Sequence, residues 1–533
     1  MNRRFLAVVG AGALALALVA CGGDDDGGGG GSSGGGTTGT EWILGTTDSV
    51  TALDPAGSYD LGSSALQYAM YQQLLTVPPG TTTPEGDAAE SCEYTDPKTF
   101  QCTLREGLTF SNGDPLTSSD VKFTVERNIN IANPNGASVL LASLCEAPCP
   151  DDAIETPDDQ TVIFHLSRAD ATFQYVLTHA SAGSIVNEDV FPADSLLSDA
   201  EAVGSGPFVM ADYAKDEQAT LTKNDDYQGP REAKSSTVFV KYYPEASNLK
   251  VAVQNGEVDV AWRSLSPTDI VDLKDSSDLQ VLQGEGAEIR YFVWQLSTPT
   301  AKQEAVRKAV AYLIDRAAIS ERAYDGTVEP LYSLVPPSFP GATESFKDVY
   351  GAEPDPAQAE KVLNDAGIKT PVDLVIGYTP THYGPNAVDE ATELQSQLND
   401  SGLFKVALKN AEWEQYQNLY KEGAYDLFQL GWFPDFVDAD NYISPFVVDG
   451  GFYANNYSNP KVNDLVAKEQ GTDDQAVRED AFEQIQDIIA QDVSEIPSWI
   501  GPNIAIAGPG MEGVEETLDP AFIFRFWNVT KSG

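Results

Sequence analysis

The residues best placed to do chemistry in this chain lie in one run, Gly431-Trp432-Phe433-Pro434-Asp435-Phe436-Val437-Asp438-Ala439-Asp440-Asn441, where three carboxylates sit among three aromatic rings. A carboxylate held in a dry cleft makes a charge-assisted hydrogen bond to an ammonium, with a net value of about 1.5 to 3 kcal/mol. Left unpaired, the same group is costly to bury. The alternation of Asp435, Asp438 and Asp440 also suggests a calcium loop, but the glycine and distal glutamate of an EF-hand are missing. Catalysis has little to work with. The three histidines, His165, His179 and His382, stand in unrelated contexts, and there is no GxSxG, HExxH or Walker loop. A binding site is expected, with no catalytic residue, resident metal or cofactor.

Five cysteines sort into two groups. Cys21 follows a positive start, Asn2-Arg3-Arg4, and an apolar core from Phe5 to Ala20 that is too short to span a membrane reliably. Residues 1–20 read as a signal peptide. Residues 21–40 are almost all Gly, Asp, Ser and Thr, which cannot bury a core and form a flexible tether. The other four, Cys92, Cys102, Cys145 and Cys149, are an even number in an exported chain, and disulfides are their natural state. Cys92 and Cys102 flank the turn-rich Thr95-Asp96-Pro97-Lys98, so a bond across a hairpin is expected, leaving Cys145 to pair with Cys149. Zinc is the alternative, but the spacing is not CxxC.

About 490 residues remain for the folded body, enough for two or three domains. Removing Arg3 and Arg4 leaves 30 basic against 81 acidic residues, a net charge of −51. That balance argues against nucleic acid or anionic lipid as a partner.

Strand-like and helix-like segments alternate throughout, the pattern of an α/β architecture. Apolar spacing predicts a helix over 303–324 with Val306, Val310, Leu313, Ile314 and Ala317 on its buried face. A second carries Phe482, Ile485, Ile488 and Ile489, and a third spans 119–130, where Thr117 and Asp120 fit a capping box. Strands are expected at 237–243, 372–378 and 426–432. No repeat of solenoid or propeller length is present.

From Thr47 onward the chain resembles the peptide and nickel class of extracellular solute-binding proteins of ABC importers, family 5. The resemblance rests on Ala52-Leu53-Asp54-Pro55, on Tyr71-Gln72-Gln73-Leu74-Leu75, and above all on the run from Thr103 to Val121 that contains Arg105-Glu106-Gly107-Leu108-Thr109-Phe110-Ser111-Asn112-Gly113-Asp114. Gly204-Ser205-Gly206-Pro207-Phe208, Val253-Gln254-Asn255-Gly256-Glu257-Val258-Asp259 and Asn456-Tyr457-Ser458-Asn459-Pro460 follow in the family's order. The resemblance implies a bilobed periplasmic-binding-protein type II fold. Lobe I would comprise 41–74, 192–285 and 495–533, with 75–191 an inserted subdomain, and lobe II would comprise 286–494.

It also implies a monomer that captures a dipeptide or oligopeptide between its lobes and serves ABC permease subunits. The junction Leu18-Val19-Ala20-Cys21 is similar to a lipobox, which makes Cys21 a lipid anchor on the bacterial membrane. Nickel, haem, sugar and amine ligands occur in the same class, and a sensory lipoprotein of this fold is the other reading. In peptide-binding relatives the carboxylate three residues after the tryptophan takes the ligand's α-ammonium, and here that is Asp435. Trp432 and Trp413 match pocket tryptophans, and Phe433 and Phe436 are further wall candidates. Tyr59 and Leu61 occupy the place from which lobe I reaches the ligand. One departure stands out: an arginine that helps hold a ligand carboxylate in an oligopeptide-binding relative is replaced by Gln429.

Overall fold

In the computed structural model, which describes residues 40–263, 265–384 and 386–532, the helix signals translate into caps and buried stripes. The leader, Cys21 and all of the tether but Thr40 lie outside the described residues. Thr117 and Asp120 close a capping box on Ser118–Ile131, and Val121, Val125 and Ile129 face the core. Asp474 caps Gln475–Asp492, which buries Phe482, Ile485 and Ile489 and leaves Ile488 at the margin.

One helix is corrected. The expected 303–324 element is two helices, Glu304–Leu313 and Arg316–Ala323. Ile314 is extended, and the Asp315 carboxylate accepts the Ala318 N–H at 2.8 Å, starting a new helix where periodicity alone continued the old one. The second helix has turned by then, so Ala317 is exposed and not on the buried face.

The expected strands form as Thr237–Tyr242, Val372–Tyr378 and Leu427–Trp432. They belong to a large mixed sheet in the order Phe404–Asn410, Val372–Tyr378, Leu427–Trp432, Gln280–Trp294, Glu495–Ala507, Val260–Trp262, Glu41–Thr46, Thr237–Tyr242, Gln218–Lys223, Phe208–Ala214. Two long antiparallel strands, Gln280–Trp294 and Glu495–Ala507, make the crossing between its halves. Gln280 to Gln283 pair with Ile504 to Ala507, beside Val260–Trp262, whereas Ile289 to Trp294 pair with Leu427–Trp432. Between these stretches the register shifts at Gly284/Glu288. Gly286 comes so close to the Gly501 carbonyl that no side chain would fit, and Gly284 stands likewise against Leu518.

Hydrophobic cores lie on both sides of the crossing. One gathers Trp42, Leu44, Val238, Trp262, Phe524 and Phe526; another gathers Phe292, Trp294, Leu374, Leu427, Phe428 and Phe482. The result is a bilobed α/β protein with its lobes joined by two strands.

A third core belongs to the segment around a four-stranded sheet built from Ala89–Asp96, Thr99–Leu104, Ile154–Glu155 and Thr161–His165. Cys92 faces Cys102 across that hairpin, and the two are joined by an S–S bond; Cys145 is joined to Cys149. The Ala-Leu-Asp-Pro landmark has a concrete job. Buried Asp54 accepts from Ala56 N, Leu197 N and both terminal nitrogens of Arg127, tying three chain segments together. Among the described residues no helix is long and apolar enough to cross a membrane.

Candidate functional site

Leu427–Trp432 runs beside the crossing strand Gln280–Trp294, with Gly431 opposite Arg290 and Trp432 opposite Ile289. The chain then leaves the sheet, and Asn441 shapes the loop that follows. Its Oδ1 accepts from Trp432 Nε1 at 2.9 Å and from Asp435 N at 2.8 Å, while its Nδ2 donates to Asp435 Oδ2 at 3.2 Å. Asn441 thus fixes both the indole and the carboxylate. It was legible as part of the motif, but nothing in residue type alone marked it as the positioning group.

Asp435 is half-buried, and its Oδ1 accepts the Tyr59 hydroxyl at 2.5 Å. Burial pushes its carboxyl up to about 6, against the opposing effect of the Tyr59 and Asn441 hydrogen bonds. Tyr59 comes from the other lobe, is 38% exposed, and meets His179 edge to face at 5.6 Å. Leu61, two residues on, opens the helix Leu61–Met70 and touches the core of the lobe that carries Asp435. Tyr59, Leu61 and Asp435 are therefore brought together across the lobes.

Asp438 and Asp440 do different work. Arg478 donates to both oxygens of Asp438 at 2.7 Å and also to Glu469, all three being buried. Asp438 and Asp440 also hold the turn, through Asp440 N to Asp438 Oδ1 and Ser444 Oγ to Asp440 Oδ2. Burial pushes Asp440 and Glu469 up. The acids beyond Asp435 anchor the loop and are not free for a cation.

Beside this loop, at the strand crossing, lies a cavity of about 640 Å³. Its wall includes Arg263, Glu288, Arg290, Tyr383, Phe433 and Trp499, contributed from both sides of the crossing. The volume suits a small-molecule site. Phe433 thus faces the cavity, and it meets Phe522 at 5.3 Å. Trp413 backs the wall, its ring stacked on His382 at 3.8 Å and edge-on to Tyr383. Burial, and then the charge of Arg290, pull the His382 imidazole down to about 4, so it is neutral at physiological pH. Trp432 stands against Phe446. Of the expected ligand-binding residues only Phe433 lines the cavity; Phe436 is buried and stacked on Tyr175 within the third core.

Sequence reasoning did not single out Arg263, Glu288, Arg290 or Tyr383. Each is one ordinary residue of a strand or loop, and only the sheet brings them together. Gln429 is placed below the cavity, where its Nε2 donates to buried Glu390 at 2.6 Å. Tyr324, Ser498 and Trp499 also donate to Glu390, so this glutamine is engaged in the core.

Two lobes closing over a furnished cavity define a solute-binding protein. The pattern of bacterial extracellular solute-binding proteins, family 5, matches residues 83–454, and the chain belongs to that family. It is 26% identical to the dipeptide-binding protein of Escherichia coli over 498 residues, 89% of this chain and 90% of that one. Among solved structures it is similar to the ABC transporter substrate-binding protein CtaP of Listeria monocytogenes, with a TM-score of 0.80 and 24% identity over 93% of this chain and all of that one. It is also similar to the dipeptide-binding protein of Pseudoalteromonas sp. SM9913 in complex with Met-Leu, with a TM-score of 0.74 and 22% identity over 92% of this chain and all of that one. These two likenesses concern the fold.

Proposed function

We propose that this family member captures a short peptide between its lobes and delivers it, as a monomer, to the permease of an ABC importer from a lipid anchor at Cys21. The observation that carries the peptide reading is Asp435, a carboxylate in a poorly solvated position facing Tyr59 across the lobes. A ligand ammonium replacing the tyrosine hydroxyl there would supply the charge that burial makes the carboxylate lack. Phe433, Trp432 and Trp413 would form or back the aromatic wall, which offers contact area with few rotamers to freeze. Tyr59 and Leu61 would close over the ligand from the opposite lobe, and Phe436 would seal the rim. Lobe I is proposed as 41–74, 192–285 and 495–533 with 75–191 inserted, and lobe II as 286–494.

The names of the relatives support the same reading, since the Escherichia coli protein is a dipeptide-binding protein and the Pseudoalteromonas structure contains Met-Leu. The mechanism is a population shift. A ligand that touches both lobes only when they are closed favours the closed form, which the permease then recognises. The test is calorimetry with Asp435→Asn. Free-amine peptides should lose affinity about tenfold or more while amino-acetylated ones change little. Equal loss for both would remove Asp435 from the role.

A further inference from the structure

We propose that in the closed protein Glu469 donates a carboxyl proton to Asp440, and that this buried acid pair is a pH-sensitive clasp holding the segment around the four-stranded sheet against the loop that carries Asp435. The clasp is independent of the ligand's identity and goes beyond the peptide reading. The two parts meet along a short seam. Ala171 N donates to the Gln470 carbonyl at 2.9 Å, Tyr175 stacks on Phe436 at 6.3 Å, and the Tyr175 hydroxyl reaches Asp438 and Arg478. Asp170 is buried beside this seam, with Tyr94 donating to its carbonyl and Thr172 to its carboxylate.

Beneath the seam three acids share one cation. Asp438, Asp440 and Glu469 are 5%, 3% and 0% exposed, and Arg478 is the basic residue that meets them. Its guanidinium is committed to both oxygens of Asp438 and to Glu469 Oε2. Asp440 accepts from Gln470 Nε2 at 3.3 Å and from Ser444 Oγ at 2.8 Å. That leaves Glu469 Oε1, which no donor reaches among the described residues. Yet the carboxyl groups of Glu469 and Asp440 are in hydrogen-bonding contact. Two carboxylates offer only lone pairs, so the contact needs a hydrogen, and Glu469 Oε1 is the atom free to carry it.

Position says which acid holds the proton. Glu469 is the penultimate residue of the helix Pro460–Gln470, at the negative end of its dipole, where a neutral acid is favoured over a carboxylate. Burial, and then the charge of Asp440, push the Glu469 carboxyl up in the same direction. With the proton in place Arg478 balances Asp438, and one negative charge stays on Asp440. As the pH rises the proton on Glu469 Oε1 passes to solvent, and two carboxylates then face each other with Asp438 beside them and Asp170 across the seam. Arg478 cannot balance them all. Water relieves the repulsion only if Ala171 and Tyr175 part from Gln470 and Phe436. The clasped form therefore binds one proton more than the open one, so the clasp holds in acid and loosens as the pH climbs through the pair's own value.

Amide hydrogen exchange of the full chain tests the clasp from pH 6 to 10, read by mass spectrometry on the fragment containing Ala171 and corrected for the intrinsic effect of pH. Because opening releases one proton, protection of the Ala171 amide should fall about tenfold per pH unit once the pair begins to ionise. Glu469→Gln puts an amide donor where the proton was, and its protection should not change with pH. Glu495→Gln removes a different buried proton and should keep the wild-type slope. Wild-type protection that stays flat to pH 10, a slope that survives in Glu469→Gln, or one that vanishes in Glu495→Gln would overturn the inference. If Glu469→Gln does not fold, Asp440→Asn decides: its amide can donate to Glu469 Oε1 and should flatten the slope, and an unflattened slope there counts against the clasp. No peptide enters this readout, so failure of the peptide reading leaves its result standing.

Discussion

The Tyr59 hydroxyl donates to Asp435 Oδ1 at 2.5 Å, joining the two lobes through the group proposed to bind the ligand's amine. The same oxygen cannot serve tyrosine and ligand equally, so the contact both closes the empty protein and competes with the guest. A hydrogen bond to a charged group is worth about 1.5 to 3 kcal/mol, enough to shift an open and closed equilibrium by roughly 10- to 150-fold. Tyr59→Phe should therefore open the unliganded form, seen as an increase in its radius of gyration by small-angle scattering. An unchanged scattering profile would show that this bond does not govern closure.

Acidity should control amine binding through Asp435. Its carboxyl, pushed up to about 6 by burial, accepts an ammonium only when ionised, so affinity should fall about tenfold per pH unit below pH 6. Above pH 7 the carboxylate is fully formed and affinity should level off, until the peptide's own amine loses its proton near pH 8. Titration calorimetry from pH 4.5 to 8 reads the profile, and Asp435→Asn should flatten its acid limb. An acid limb of the same slope in the variant would place the proton elsewhere.

A second buried acid should set how stability responds to base. Glu495 begins the crossing strand Glu495–Ala507, and burial pushes its carboxyl up to about 8 although Tyr453 donates to it at 2.9 Å. The folded chain thus keeps a proton that the unfolded chain releases near 4.5, and stability is greatest below that value and declines as pH rises towards 8. The full decline from this one group is on the order of 5 kcal/mol. Glu495→Gln should match the wild type near pH 4.5 and exceed it at pH 9 in urea unfolding. Parallel pH slopes for the two proteins would contradict the assignment.

Arg478 should matter to both the fold and the site. It is the cation that compensates Asp438 and Glu469, and Asp438 belongs to the loop that holds Asp435. Arg478→Met leaves two acids buried without a cation, a cost of about 3 to 5 kcal/mol. Adding Asp438→Asn should recover part of that loss. A double variant no more stable than the single one, by urea unfolding, would rule out the ion pair as the cause.

Local chemistry announced itself in the sequence, and long-range juxtaposition did not. The Thr117 and Asp120 cap, the Phe482 to Ile489 stripe and the hairpin holding Cys92 and Cys102 were legible because each depends on neighbours within a few residues. The break at Asp315 was missed because the apolar spacing runs through it, and only the cap geometry shows the restart. Asp435 could be picked from its motif. Arg290 could not, since an arginine within Ile289-Arg290-Tyr291-Phe292 reads as one ordinary strand residue until Tyr383, Trp499 and Phe433 are brought to it from 93, 209 and 143 residues away.

At Gly284 and Gly286 the crossing strand passes directly against the main-chain carbonyls of Leu518 and Gly501. A joint pressed this closely tolerates no side chain at either position, so its composition is set by the frame and not by the cargo. The cavity walls are then at liberty to diversify: rings and charges can be exchanged to suit a new guest while the outer silhouette of the shut form stays the same.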